Sequence, residues 1–385
     1  MTQSAADILK VLVGFNTVSD QSNLPLIEWV EGYLSEHGVS SRRIYDETGE
    51  KANLIATIGP QDVPGIVLSG HVDVVPVEGQ PWSTDPFEAT VIDGKMYGRG
   101  TSDMKGFDAC VLAAVPQMVA ADLKMPLHIC LSYDEEVGCI GVRSAITDIA
   151  AWPVRPRACI VGEPTSMEVV TGHKSKHSVR VTVRGKAGHS SLAPDFVNAV
   201  EYAARLVVHI SDKGRALAAE GARDPLYDCT HSTAHVGLIN GGTQLNIVPE
   251  HALFDFEFRT IAEDDPAALV QEVIAYAEAN LVPQMQAVNP DTGIDFEHLT
   301  DVDGLYTPED AEIVTLVKSL AKRNDHSKVA YGTEGGLFQS MADIPTVVIG
   351  PGSIDRAHKA DEYITMDELA AGSAFIDRLI QRCST

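Results

Sequence analysis

Histidines and acidic residues follow short apolar segments at several points of this chain, and together they could bind metal ions. Apolar runs of this length, bounded by turn residues, are typical of buried strands, and open α/β sheets bind ligands beyond the carboxyl ends of their strands. The residues that closely follow such runs are His71, Asp73, Glu135, Glu136 and Glu163. We therefore expect these side chains at one sheet edge, where imidazole and carboxylate groups suit divalent metals.

Two further candidates lie in glycine-rich segments. Asp103 stands in GRGTSDMKG (98–106), which we expect to open a helix, and His358 comes shortly after GPGS (350–353). The first segment does not fit a phosphate loop, because the GxGxxG motif would require glycine at position 103. An acid at a helix start can simply be a cap. Beside His71 and the other acids, a metal-bridging carboxylate is the better explanation.

These residue types together indicate metal-assisted amide hydrolysis. Two metal ions can activate water and polarise an amide carbonyl. A base is still needed to carry the proton from the water to the leaving nitrogen. Glu135 suits that role because its neighbour Glu136 can bind metal, and Asp73 could orient the His71 ring. Alone, each segment could be a solvated acidic loop or a capped core histidine. The chain has neither GxSxG nor HExxH, which disfavours serine hydrolases and single-zinc proteases.

Hydrophobic periodicity divides the chain into three segments. Residues 1–175 alternate strand-like and helix-like patterns, as in α/β layer structures. Residues 176–289 contain half-solvated alternating strands, such as 178–184 and 253–259, and two amphipathic helices, which indicate a smaller α+β domain. Residues 290–385 return to the first pattern and should rejoin the first sheet. The predicted fold is α/β: a mixed-sheet α/β/α catalytic domain interrupted by an inserted α+β domain.

Composition limits the partners and the location of the protein. The 385 residues suit two domains, and no apolar run approaches the roughly 18 residues of a membrane span. A net charge of -25 argues against nucleic acid and anionic membranes as partners. No signal peptide is predicted at the N-terminus. The six cysteines form no CxxC pair, so we expect reduced thiols in a cytoplasmic protein.

The motifs and their order resemble one family, the dinuclear metallohydrolases that include acetylornithine deacetylases, succinyl-diaminopimelate desuccinylases, glutamate carboxypeptidases and aminoacylases. The resemblance covers nearly the whole chain. The matching segments are SGHVDVVP (69–76), PFEATVIDGKMYGRGTSDMKG (86–106), DEEVG (134–138), GEPT (162–165), GKAGHSS (185–191), NGGTQLNIVP (240–249), DFEFR (255–259), GTEGG (332–336) and GPGSIDRAHKADEY (350–363).

The resemblance implies a role for each matching residue of the centre. Glu135 would be the general acid and base, Asp73 would orient a metal ligand, and a cis peptide bond would follow Asp103. Zinc is the expected metal, and cobalt can substitute in such sites. The expected ligands are His71, Asp103 and Glu163 for one ion, and Asp103, Glu136 and His358 for the other.

The inserted domain resembles the lid and dimerisation module of the family, so a homodimer is expected. His189 matches a lid histidine that donates to the developing oxyanion, often across the dimer interface, and Asn246 matches an asparagine near it. Arg259 matches an arginine that binds a substrate carboxylate, and Gly352 is also expected to contact the substrate. Without the resemblance, Arg259 could be the exposed end of a strand and His189 a turn residue.

Within the family, segments 162–178, 332–336 and 350–363 are most similar to acetylornithine deacetylases. The implied reaction, a step of arginine biosynthesis, is hydrolysis of N2-acetyl-L-ornithine to L-ornithine and acetate. Glu334 would then meet the side-chain ammonium of the substrate. One alternative is another N-acyl amino acid or a small peptide as substrate, as in the desuccinylases and carboxypeptidases. The other is a binding protein without activity, which the competent residues at every ligand and base position disfavour.

Overall fold

The computed structural model describes residues 3–385, which form two compact units. Unit 1 holds the residues up to Gly172 with Leu305–Lys328 and Thr333–Thr385, and unit 2 holds His173–Gly304 with Val329–Gly332. The insertion was predicted to end at residue 289, whereas unit 2 continues to Gly304. The difference arises because the strand Gly293–Val302 pairs within the sheet of unit 2.

Strands and helices alternate through most of unit 1. The elements of both units are numbered together in chain order. The strands are β1 (Ser41–Tyr45), β2 (Ala52–Ile58), β3 (Ile66–His71), β4 (Thr90–Ile92), β5 (Lys95–Tyr97), β6 (Leu127–Ser132), β7 (Ala158–Val161), β8 (Val170–His173), β9 (Lys176–Arg184), β10 (Thr233–Gly241), β11 (His251–Arg259), β12 (Gly293–Val302), β13 (Leu305–Tyr306), β14 (Ser327–Val329), β15 (Thr346–Val348) and β16 (Tyr363–Thr365). The helices are α1 (Ala5–Val13), α2 (Leu24–Glu36), α3 (Lys105–Ala113), α4 (Val115–Ala120), α5 (Val142–Ala150), α6 (Ala199–Glu220), α7 (Pro266–Tyr276), α8 (Val282–Val288), α9 (Glu312–Ala321), α10 (Gly335–Ala342) and α11 (Met366–Cys383).

The main sheet confirms the predicted mixed α/β class. Its strand order is β1-β2-β6-β3-β7-β15-β8-β13, and β14 pairs with β8. The central strands β6, β3, β7 and β15 are parallel, and β1 and β2 add antiparallel pairs at one edge. Every residue of β3, β6 and β7 is buried. Such continuous burial is expected where helices cover both faces of a largely parallel sheet.

Unit 2 contains an antiparallel sheet in the order β10-β11-β9-β12. The strands β9 and β11 alternate as predicted, since Val179, Val181 and Val183 and the phenylalanines of β11 are at most 2% exposed. These side chains form the core of the unit with the apolar faces of α6 and α7. Among residues 3–385, no helix is both long and apolar enough to cross a membrane.

Candidate metal centre

The predicted ligands His71, Glu136 and Glu163 lie at or just beyond the carboxyl ends of the central strands of unit 1. His71 is the last residue of β3 and lies in register with Ser132, the last residue of β6. Glu163 follows β7 after Gly162 alone, where a Cβ atom would collide with the Phe107 ring of α3. A glycine is needed there because helix and strand approach so closely. The structure thus brings the strand ends and their acidic loops together at one edge.

The candidate ligands form two adjoining groups around Asp103. His71 Nε2 lies 3.2 Å from Asp103 Oδ1 and 3.9 Å from Glu163 Oε1. His358 Nε2 lies 3.3 Å from Asp103 Oδ2 and 3.0 Å from Glu136 Oε2. Asp103 therefore presents one oxygen to each histidine, which is the arrangement a bridging carboxylate requires. The Asp103–Met104 peptide bond is cis, as predicted.

Asp73 contacts both the His71 ring and the acidic loop that carries Glu135 and Glu136. His71 Nδ1 lies 2.9 Å from the backbone carbonyl of Asp73 and 3.6 Å from its carboxylate. The carboxylate instead accepts the N–H groups of Glu135 at 3.1 Å and Glu136 at 3.3 Å, and the hydroxyl of Ser19 at 2.8 Å. Asp73 therefore fixes the His71 ring through its backbone and the acidic loop through its side chain.

The acidic groups of the centre are buried or partly buried and repel one another. Burial raises the pKa of Glu135 to about 8, and the charges of neighbouring acids add to this effect. Burial also raises the pKa of Glu136 and that of Glu163. At Asp103, hydrogen bonds with the two histidines outweigh burial and lower the pKa. Hydrogen bonds with Asp103, and to a smaller extent with Glu136, raise the pKa of His358 to about 10.

This donor set fits divalent metal ions. One ligand atom each from His71, Glu135 and Glu163 lie within 4.8 Å of one another, as do those from His71, Asp103 and Glu136. Imidazole and carboxylate donors without thiolates suit zinc and similar divalent metals. Bound cations would also neutralise the mutual repulsion of these carboxylates. Glu135 lies beside the ligands, and its Oε1 accepts the Cys139 thiol at 3.3 Å.

The predicted substrate residues of unit 2 lie on loops and at a strand end. His189 is exposed, and its Nδ1 contacts the Ser191 hydroxyl at 2.8 Å. Asn246 is exposed on the neighbouring loop, where its backbone carbonyl accepts the N–H of Ser190 at 3.0 Å. Arg259 ends β11, and its Nε donates to the carboxylate of Glu257 at 3.0 Å. Their contacts with a substrate stay predictions.

Two predicted substrate residues lie in unit 1, Glu334 and Gly352. Glu334 is 1% exposed, and its carboxylate accepts the hydroxyls of Ser69, at 3.0 Å, and Ser132. Its contact with a substrate ammonium stays a prediction. Gly352 has φ +85, and a Cβ atom there would collide with the Ser102 side chain. The local backbone therefore requires this glycine.

The amino-acid sequence was compared with protein families and with known proteins. The profile of Peptidase family M20/M25/M40 matches residues 67–382. The chain belongs to this family. Acetylornithine deacetylase of Photorhabdus laumondii is 32% identical over 362 residues, covering 94% of this chain and 91% of the relative. The acetylornithine deacetylase of Proteus mirabilis is 32% identical over 364 residues, with the same coverage. As a member of the M20/M25/M40 family, the chain is a hydrolase of a metal-dependent class, as predicted.

Solved structures of the M20/M25/M40 type share the fold. The aminopeptidase PepT of Bacillus cereus superposes with a TM-score of 0.76 at 20% identity, over 100% of this chain and 99% of that chain. An M20 family metallo-carboxypeptidase of Sulfolobus solfataricus gives a TM-score of 0.76 at 18% identity, over 99% of each chain. These likenesses extend over both units of the chain.

Proposed function

We propose that this chain hydrolyses N2-acetyl-L-ornithine to L-ornithine and acetate. The observation that carries the proposal is the convergence of His71, Asp103, Glu136, Glu163 and His358 at one sheet edge. The identity of 32% to acetylornithine deacetylases, over 94% of the chain, supports the choice of substrate. We propose a linear amide as the bond cleaved and acetyl as the acyl group, because the similar relatives are acetylornithine deacetylases.

The residues of the centre would hold two divalent ions around the shared Asp103. We propose zinc as the metal, with cobalt as a competent substitute, because imidazole and carboxylate donors accept both. When bound, the ions would supply Lewis acidity, which acidifies water and polarises the amide carbonyl. The proposed ligands are His71, Asp103 and Glu163 for one ion, and Asp103, Glu136 and His358 for the other.

Glu135 would move the proton during the reaction. Its carboxylate accepts a proton from the attacking water, while the water oxygen forms a bond to the acyl carbon. The proton then passes to the amide nitrogen as the carbon–nitrogen bond breaks. The acid that forms loses its remaining proton to the released amine, so the products are acetate and an ammonium group. Burial raises the pKa of Glu135, and a base whose pKa lies near neutrality is best matched to both transfers.

Unit 2 would supply substrate contacts and a dimer interface. We propose that His189 donates to the developing oxyanion, that Asn246 assists it, and that Arg259 binds the substrate carboxylate.

The strand β10 lies at the edge of its sheet. The exposed apolar side chains on this strand and the loop that follows it are Leu238, Ile239, Leu245 and Ile247. Such an edge readily pairs with another chain, so sedimentation equilibrium should give a dimer mass, and a monomer mass would contradict this.

The cysteines are the basis for proposing a cytoplasmic location. All six are free thiols in the structure, and five of them are buried. Thiols persist in reducing compartments, whereas secreted domains commonly form disulfides. Cell fractionation with an antibody against the protein would test this, and recovery in the extracellular fraction would contradict it.

A substrate panel tests the proposed specificity. The kcat/KM for N2-acetyl-L-ornithine should exceed that for N-acetyl-L-methionine, N-succinyl-diaminopimelate and a dipeptide by at least about 10-fold. Ratios of kcat/KM report differences in transition-state binding, and sites with polar partners reject analogues that lack the matching group by large factors. Rates for N2-acetyl-L-ornithine equal to or below those for another member of the panel would favour the alternative substrates.

A further inference from the structure

A buried ion pair lies behind the candidate metal centre in unit 1. Arg99 and Glu362 are each 1% exposed, and Arg99 Nη1 donates to Glu362 Oε2 over 2.7 Å. The other oxygen of Glu362 accepts the backbone N–H groups of Ser102 at 2.9 Å and Asp103 at 3.1 Å. One carboxylate therefore holds both the arginine and the backbone that carries the shared ligand.

The arginine also connects to the segment that carries His358. Its Nη1 contacts the carbonyl of Lys359 at 3.3 Å, and its Nη2 donates to Gln80 Oε1 at 2.5 Å. Gln80 Nε2 in turn donates to the carbonyl of His358 at 3.1 Å. The Trp82 ring lies 5.0 Å from the guanidinium carbon of Arg99 and covers one side of the group. Three distant chain segments are joined in this way.

We propose that Gln80, Arg99 and Glu362 are positioning residues, which hold Asp103 and His358 in place for metal binding without contacting the ions. This inference rests on the proposed metal centre. The side chain of His358 is 52% exposed, so packing alone does not fix its position, and hydrogen bonds to its backbone segment must do so. Partners behind metal ligands commonly change metal affinity by about 10–100-fold when they are removed.

The test compares Glu362→Gln with Asp148→Asn. Asp148 also forms an ion pair with an arginine of unit 1, Arg42, at 2.6 Å. No contact described above joins Asp148 to a segment that carries a proposed metal ligand. Each metal-depleted protein is titrated with Zn²⁺ against a chromophoric chelator, and its melting temperature is measured separately. We expect Glu362→Gln to raise the zinc dissociation constant by about 10–100-fold. Asp148→Asn should leave it unchanged, even where the melting temperature falls.

A separate variant keeps the inference testable if Glu362→Gln does not fold. Gln80 is only partly buried, so Gln80→Ala should fold, and it removes the hydrogen bond to the His358 backbone. We expect weaker zinc binding at an unchanged melting temperature. Wild-type zinc affinity in Gln80→Ala, and in Glu362→Gln where that variant folds, would overturn the positioning role. A wild-type protein that binds no zinc would instead overturn the proposed metal centre itself.

Discussion

Replacement of Glu135 by glutamine should lower kcat for N2-acetyl-L-ornithine by about 10²–10⁴-fold, the usual worth of general acid–base catalysis. Glutamine keeps the shape of the side chain but cannot accept and return a proton. The ligand contacts His71–Asp103 and His358–Glu136 do not involve Glu135, so zinc should stay bound. Steady-state rates and the zinc content of the purified variant check both parts of the expectation.

The neighbouring residue supplies the control for this experiment. Glu136 Oε2 lies 3.0 Å from His358 Nε2, so Glu136→Gln should weaken zinc binding as well as turnover. Glu135 also lies within a possible ligand group with His71 and Glu163, which makes the comparison informative. If Glu135→Gln lost zinc while Glu136→Gln kept it, the two roles would have to be exchanged.

Asp103→Ala should strongly weaken the binding of both zinc ions. Asp103 offers one oxygen to each histidine, at 3.2 Å from His71 and 3.3 Å from His358. The change should raise the zinc dissociation constant by more than about 100-fold, which is the upper range for partners that do not touch the metal. Turnover should fall with the metal content. Competition titration with a chelator measures the affinity.

Glu163→Ala is the matched variant, because Glu163 lies in one group with His71 and Glu135, whereas Glu136 contacts His358. It should lose one zinc ion and retain the other at the His358 group. A variant Asp103→Ala that still bound two ions would show that this carboxylate is not shared. Loss of both ions in Glu163→Ala would show that the two groups do not bind independently.

The candidate ligands His71, Glu136 and Glu163 could be placed from the sequence because they lie at or shortly after the ends of buried strands. The apolar runs that end at His71 and before Glu163 are short, and parallel strands in register bring their carboxyl ends together. The order of apolar runs and acidic residues therefore predicts where the candidate centre lies. The class of the fold was equally accessible, since the segments of unit 1 alternate between strand and helix periodicity.

Contacts that depend on side-chain direction could not be predicted in the same way. Glu334 stands within the glycine-containing segment GTEGG (332–336). Nothing in that segment indicates that the Ser69 and Ser132 hydroxyls of two buried strands donate to its carboxylate. The Arg99–Glu362 pair joins residues far apart in the sequence, and neither residue stands in a pattern that indicates a partner. Such pairs become visible only when the chain path is known.

The C-terminal boundary of the inserted domain could not be predicted from the sequence pattern either. Strand β12 has mostly exposed or partly exposed residues and a bulge between His298 and Thr300. Its apolar alternation is therefore weak, although it pairs with β9 along most of its length. Backbone hydrogen bonds define this strand, and they leave little trace in the order of polar and apolar residues.

Zinc titration of the metal-depleted wild-type protein, with hydrolysis of N2-acetyl-L-ornithine followed at each addition, tests the metal centre most directly. We expect two ions to bind per chain, and activity to rise from background as they bind. Failure to bind zinc, or full-rate hydrolysis by the demetallated protein, would contradict a hydrolytic centre built on His71, Asp103, Glu136, Glu163 and His358.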